Sequence, residues 1–243
     1  MEIGMIVRNL FSRFLLIVIS IIFFIPIAIF ICIPEKYRYK YPIVFYPVHW
    51  FYVAILKCSF LSITYKGLEN IPKDTAVIFA ANHQSTLDIP LVGVLSKGVP
   101  HVWLAKAELM DSVFIRWVVP LISVLVDVSS PRNAMLSLRK ILTIVNNHYR
   151  NLIIFPEGTR RTDGKIHEFF GGFTILAKKT GRPVVPVCIV GINMAYPPET
   201  FWLRLYPITV IVGKPFLYEQ DDTDESFKQR IHGWFVEQME QNS

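Results

Sequence analysis

The chain opens on an uninterrupted apolar run. Residues 14–33, FLLIVISIIFFIPIAIFICI, hold no charged side chain over twenty positions. As a helix, that length spans about 30 Å, the thickness of a hydrocarbon core. Arg8 and Arg13 precede it, and Glu35, Lys36, Arg38 and Lys40 follow. A secretory leader would carry a shorter apolar core and a small-residue cleavage site, and neither is evident. Pro26, in the middle, predicts a broken or re-entrant helix rather than a straight rod. A second apolar stretch, residues 41–65, carries Tyr46, His49, Trp50, Phe51 and Tyr52 and is interrupted by Lys57. Its aromatics predict a position at the headgroup level. Positive charge flanks the first run on both sides, so a hairpin dipping into one leaflet and a simple transmembrane anchor both stay open.

Beyond residue 65 the pattern changes to short β-branched runs at residues 76–79, 102–105, 125–128, 152–155, 184–189 and 209–212. Between several of them lie helical periodicities. Residues 133–149 place Met135, Leu138, Leu142, Val145 and Tyr149 on one stripe, and near the end Phe227, Ile231, Trp234 and Phe235 do the same. Strands alternating with helices predict an α/β fold with a helix-covered, mostly parallel sheet. An N-terminal apolar helical hairpin would precede it. The predicted division is a membrane-anchoring segment over residues 1–62 and a catalytic domain over residues 63–243.

Composition sharpens this picture. Hydrophobic residues make up 52% and charged residues 18%, and the mean hydropathy is +0.40. A disordered tail and a disulfide scaffold are excluded, and a membrane accounts for the apolar surplus. Of the net charge of +6, residues 1–65 hold +4, six lysines and arginines against Glu2 and Glu35. The basic excess thus lies beside the apolar run, where it meets anionic headgroups, and not on the folded domain, as a nucleic-acid surface would require. Cys32, Cys58 and Cys188 are scattered, with no metal-ligand or disulfide spacing.

Two polar loops carry candidate chemistry. The run at residues 76–79 leads into AANHQSTLDIP, with His83 and Asp88 five apart. On a helix opening after the strand they would be neighbours. Asp88 could then hold one imidazole nitrogen and leave the other free to take a proton. The carboxyl end of a strand in an α/β sheet is where ligands usually bind. The run at residues 152–155 leads directly into FPEGTRR, residues 155–161. There Pro156 ends the strand and Gly158 lets backbone approach a ligand. Thr159 offers a hydroxyl, Arg160 and Arg161 offer guanidinium forks for a phosphate, and Glu157 could receive a hydroxyl or brace an arginine.

NHQSTLD, FPEGTRR and the later VVPV together resemble the signature blocks of the 1-acylglycerol-3-phosphate acyltransferases, the PlsC-type branch of the glycerolipid acyltransferases. The blocks occur in the expected order over roughly residues 80–190. The resemblance implies a glycerol-3-phosphate acyltransferase-type fold and direct transfer of a fatty acyl group from a thioester to the hydroxyl of a lysophospholipid. The acceptor it implies is 1-acyl-sn-glycerol-3-phosphate, giving phosphatidate. His83 would be the general base and Asp88 its orienter. Glu157, Gly158, Thr159 and Arg160 would hold the acceptor, with Arg160 on its phosphate, and Pro186 would be structural. The co-substrate is acyl-CoA or acyl carrier protein. No cofactor and no metal is implied, and the other partners are membrane lipids. The expected location is the inner or cytoplasmic membrane, with the catalytic domain on the cytosolic face.

Between the NHQSTLD and FPEGTRR blocks the family carries a further block built around a lysine or arginine, and here the chain departs from the pattern. Lys106, Glu108 and Leu109 resemble its opening, but Val128 stands where its arginine belongs, and Arg132 is the nearest substitute. Phe170 stands where many members have a lysine; Lys165 and Lys178 are the candidates for compensation, and the sequence does not choose between them. Both departures remove a cation that would face an anionic headgroup. A different lysolipid acceptor, or a membrane-anchored thioesterase with His83 activating water, are the alternatives. No G-x-S-x-G occurs, which argues against a serine hydrolase. His49, His101, His148, His167 and His232 show no ligand spacing and read as structural or exposed. Ser85 would point away from His83, and Trp103 and Trp117 read as core or interface.

Overall fold

The computed structural model describes residues 3–34, 37, 41–106, 123–127, 129–146, 150–198 and 200–242. Trp117, Val128, His148 and Tyr149 lie outside these. The apolar start forms one helix, α1 (Ile3–Cys32), continuous through Pro26. The break expected at Pro26 does not occur: proline removes one N–H, and the turns on either side keep theirs. A 3-10 turn at Pro42–Phe45 leads into α2 (Tyr46–Cys58). The two helices pack as a hairpin, with Phe23 against Phe51 at 5.5 Å and Phe11 against Phe60 at 5.9 Å. The apolar side chains of α1 point outward: Phe14, Ile21, Phe24 and Ile25 are all more than half exposed. It is the one helix among the described residues long and apolar enough to cross a membrane.

The base of α1 is docked on the rest of the chain. The Asn9 amide donates to the Leu203 carbonyl at 3.0 Å and accepts the Leu203 N–H at 2.7 Å. The Ser12 hydroxyl donates to the Cys58 carbonyl at 2.6 Å. The Arg13 guanidinium lies 4.8 Å from the Phe201 ring centre and donates to the Tyr196 hydroxyl at 3.2 Å. Polar groups so close to an apolar helix persist because each finds a partner.

A seven-stranded sheet follows, in the order β1-β7-β6-β2-β5-β3-β4. Its strands are β1 (Ile63–Lys66), β2 (Ile78–Ala81), β3 (His101–Lys106), β4 (Ser123–Val126), β5 (Asn151–Ile154), β6 (Val184–Val190) and β7 (Ile208–Val212). Neighbours are parallel except β6 and β7, so β1 and β7 run against the other five. Ile63 pairs with Ile208, and Val190 pairs with Thr209. The start of β1 therefore lies at the same end of the sheet as the finish of β6 and β2.

Side-chain alternation along the strands feeds two cores. Ile78 and Ala80 face one layer, made by α4 (Pro131–Asn146), α5 (Gly172–Thr180) and α7 (Asp224–Asn242) with Tyr52 of α2. Phe79 and Ala81 face the other, made by the short helices α3 (Asp88–Gly93) and α6 (Ile192–Ala195). All four α5 positions Phe173, Thr174, Leu176 and Ala177 are buried. On α7, Phe227, Ile231 and Phe235 are buried and Trp234 is packed beside them. On α4 the buried stripe is Ile141 and Val145 with Leu138 and Leu142. Met135, expected on it, is 53% exposed.

Candidate active site

At the end of β2 the Asn82 amide donates to the Ile189 carbonyl at 2.9 Å and accepts the Ile189 N–H at 2.7 Å. This side chain extends the ladder between β2 and β6 and sets where His83 emerges. The chain then turns, and α3 begins only at Asp88, so the helix expected to carry both His83 and Asp88 does not. The reason is local. Asp88 Oδ2 accepts the N–H groups of Gln84 at 2.6 Å and Ser85 at 2.7 Å, and such side-chain acceptors compete with helical pairing. The same oxygen meets His83 Nδ1 at 2.8 Å. A carboxylate can only accept, so Nδ1 carries the ring proton and Nε2 keeps its lone pair. Asp88 is fully buried, while the His83 side chain retains 13% exposure. The Ser85 hydroxyl turns away from His83, to the Tyr196 carbonyl at 2.7 Å.

The loop after β5 is stitched to this turn. The Arg161 N–H donates to the His83 carbonyl at 2.8 Å. Glu157, 1% exposed, accepts the His83 N–H at 3.1 Å and the His167 N–H at 3.3 Å. Burial pushes its carboxyl up to about 7, against the downward pull of those two bonds, of His167 and of Arg161. Gly158 has a φ of 68°, a left-handed conformation that favours glycine. There its N–H returns to the Phe155 carbonyl at 3.0 Å. Thr159, Arg160 and Arg161 are exposed on the same loop.

The two sequence motifs therefore meet at one end of the sheet. The remaining candidates do not join them by any described contact. Lys106 closes β3, with its side chain outside the described ones, and Arg132 is exposed on the first turn of α4. Phe170 is 66% exposed, and its N–H donates to the Pro156 carbonyl at 2.9 Å. Lys178 pairs with Asp224 at 3.6 Å, and Lys165 is exposed. Among the described residues no three His, Cys, Asp or Glu side chains converge as a metal site. Cys188 is buried, and burial pushes its thiol up to about 12.

Sequence reasoning passed over Asn82 and Phe155. The Phe155 ring lies flat on the His83 imidazole, centres 3.9 Å apart and planes 9° from parallel. Asn82 had a usable signal, a lone amide at the end of an apolar strand. Phe155 had none, since an aromatic ending a strand ordinarily reads as core.

Comparison with known proteins places this arrangement. The acyltransferase family model matches residues 62–190. A chloroplastic 1-acyl-sn-glycerol-3-phosphate acyltransferase of Brassica napus is 30% identical over 196 residues, covering 79% of this chain and 55% of that protein. The enzyme of that name from Pseudomonas aeruginosa is 31% identical over 180 residues, covering 72% of this chain and 67% of that one. The chain spans 47% to 67% of the length of curated relatives such as these. The crystal structure of the 1-acyl-sn-glycerophosphate acyltransferase PlsC from Thermotoga maritima superposes with a TM-score of 0.77 at 26% identity, covering 98% of this chain and 96% of that one. By its matched domain, the order of its motifs and its sheet, the chain belongs to the acyltransferase family.

Proposed function

We propose that the protein transfers a fatty acyl group from an acyl thioester to the free hydroxyl of 1-acyl-sn-glycerol-3-phosphate, giving phosphatidate. The observation that carries the reading is the His83–Asp88 pair at 2.8 Å, set at the carboxyl end of a strand and sewn to the FPEGTRR loop. His83 Nε2 takes the hydroxyl proton as the oxygen attacks the thioester carbonyl carbon. The tetrahedral intermediate collapses, the carbon–sulfur bond breaks, and the thiolate leaves as CoA or acyl carrier protein, receiving the proton from the imidazolium. Asp88 holds the tautomer and steadies the positive ring. The exposed guanidinium of Arg160, with Thr159 beside it, takes the acceptor phosphate. Lys106 and Arg132 are further candidates for that headgroup. The α1–α2 hairpin, residues 1–62, anchors the catalytic domain, residues 63–243, to the cytosolic face of a membrane.

The test is transfer from radiolabelled acyl-CoA to a panel of lysolipids, wild type beside His83→Ala. Acylation of lysophosphatidate, falling by about 10²-fold or more in the variant, is the expected result. Transfer only to another lysolipid would move the acceptor and point to Val128 and Phe170. Fatty acid released without any acceptor would make the protein a thioesterase.

A further inference from the structure

A hydrogen bond at one ring atom pins a tethered imidazole there but still lets it rock across its own plane. For His83 the bond from Nδ1 to Asp88 is such a pin. The direction of Nε2 then depends on what lies against the ring face. That is Phe155, parallel to within 9° at 3.9 Å.

Phe155 is itself held from behind. The Trp103 ring stacks on it at 5.7 Å and 25°. Strand geometry puts these rings on one face: Trp103 pairs with Ile153, and Phe155 is two residues further on. Trp103 is 5% exposed, and its indole N–H donates to the Tyr52 hydroxyl at 3.1 Å. That hydroxyl meets His101 Nε2 at 3.3 Å, and His101 Nδ1 meets the Val99 carbonyl at 3.1 Å. The carbonyl can only accept, so every proton in the chain has one direction: Trp103 to Tyr52, Tyr52 to His101, His101 to Val99. Burial drives His101 down to about 4, so its ring stays neutral and the direction holds at neutral pH. A buried network with each donor and acceptor satisfied is rigid. One of its middle members, Tyr52, belongs to α2 of the N-terminal hairpin.

We propose that Phe155 is a positioning residue for the base: backed by Trp103 and anchored through Tyr52 and His101, its ring sets the plane of the His83 imidazole and thereby the direction in which Nε2 faces the acceptor hydroxyl. The inference rests on the reading of His83 as general base. It assigns the aromatic of the FPEGTRR motif a task distinct from acceptor binding.

The test compares wild type, His83→Ala, Phe155→Leu, Phe155→Tyr and Trp103→Leu in the acyl-transfer assay, with a melting curve for each. Leucine keeps apolar bulk and loses the flat face. Phe155→Leu should lower kcat by about ten- to a hundredfold, the cost of a misaligned catalytic group, with KM held to within about twofold. Phe155→Tyr, which keeps the plane, should recover most of kcat. Trp103→Leu removes the backing ring together with its bond to Tyr52 and should lower kcat severalfold; it carries the test should Phe155→Leu unfold. Wild-type kcat in either folded leucine variant overturns the inference. So does a tyrosine variant no better than leucine, or a rise in KM alone, which would make Phe155 a substrate contact. An active wild type left untouched by His83→Ala overturns the underlying reading instead, and this one with it.

Discussion

Glu157 accepts the backbone N–H of His83 at 3.1 Å, so this residue of the FPEGTRR loop holds the main chain of His83 and not its ring. With the second oxygen on the N–H of His167, two loops far apart in sequence hang on one buried carboxyl group. Glu157 is thereby a brace inside the motif, while Thr159 and Arg160 reach outward.

That position has a pH signature. Burial lifts the Glu157 carboxyl from its ordinary 4.5 to about 7, so the folded chain binds this proton more tightly than the unfolded chain. The stability it contributes is fully present below about pH 4.5 and is lost as pH rises through 7, a span of order 3 kcal/mol. The melting temperature of the wild type relative to Glu157→Gln should therefore fall between about pH 4.5 and pH 8. A difference that does not change over that range would mean the group is ionised throughout.

Asp88→Asn can keep an oxygen at the point where three donors converge, but it removes the negative charge. The imidazolium then loses its counter-charge, and kcat should drop by about 10²-fold or more. Steady-state kinetics across acceptor concentrations would show KM little altered. A variant within about tenfold of wild type would take Asp88 out of this role.

Arg160→Ala should raise KM for lysophosphatidate by about tenfold or more, and Arg160→Lys should recover only part of it, since a lysine presents a point charge instead of a fork. Competition with glycerol phosphate against uncharged glycerol would separate phosphate binding from general loss. Equal KM values in wild type and Arg160→Ala would pass the role to Arg161.

Asn82→Ala leaves the N–H and carbonyl of Ile189 without partners at a buried strand end. Each such group costs about 1–3 kcal/mol, so denaturant unfolding should show a loss of about 2 kcal/mol or more. Stability unchanged within error would mean that other groups satisfy Ile189.

Most of the sheet was legible because β-branched runs between helical periodicities have few other uses. Strand β1 was not. Four residues, ITYK, end an aromatic stretch, and nothing local distinguishes them from an interfacial segment. Their strand identity comes from pairing with β7, more than a hundred residues away. Helix α5 was not among the periodicities legible in the sequence; its stability comes from packing Phe173, Leu176 and Ala177 into the core. At the site the pairing of His83 with Asp88 was legible from their spacing, and the two side chains do meet. The turn between them was mistaken for helix because periodicity takes no account of an acceptor side chain capturing backbone N–H groups. Phe155 was invisible, since its meaning lies in a ring-to-ring angle.

The reversed pair β1 and β7 has a consequence for how substrate is found. Because β1 starts at the edge where β2 ends, the chain leaves α2 on the same rim that carries His83. On the proposed seating of the hairpin in a bilayer, that rim would face the leaflet, and a lysolipid acceptor would arrive by lateral diffusion without desorbing. The search would then be two-dimensional, with velocity following the mole fraction of lysolipid in the surface, not its amount per volume. Diluting the acceptor with inert phospholipid at constant total lysolipid should slow turnover in proportion.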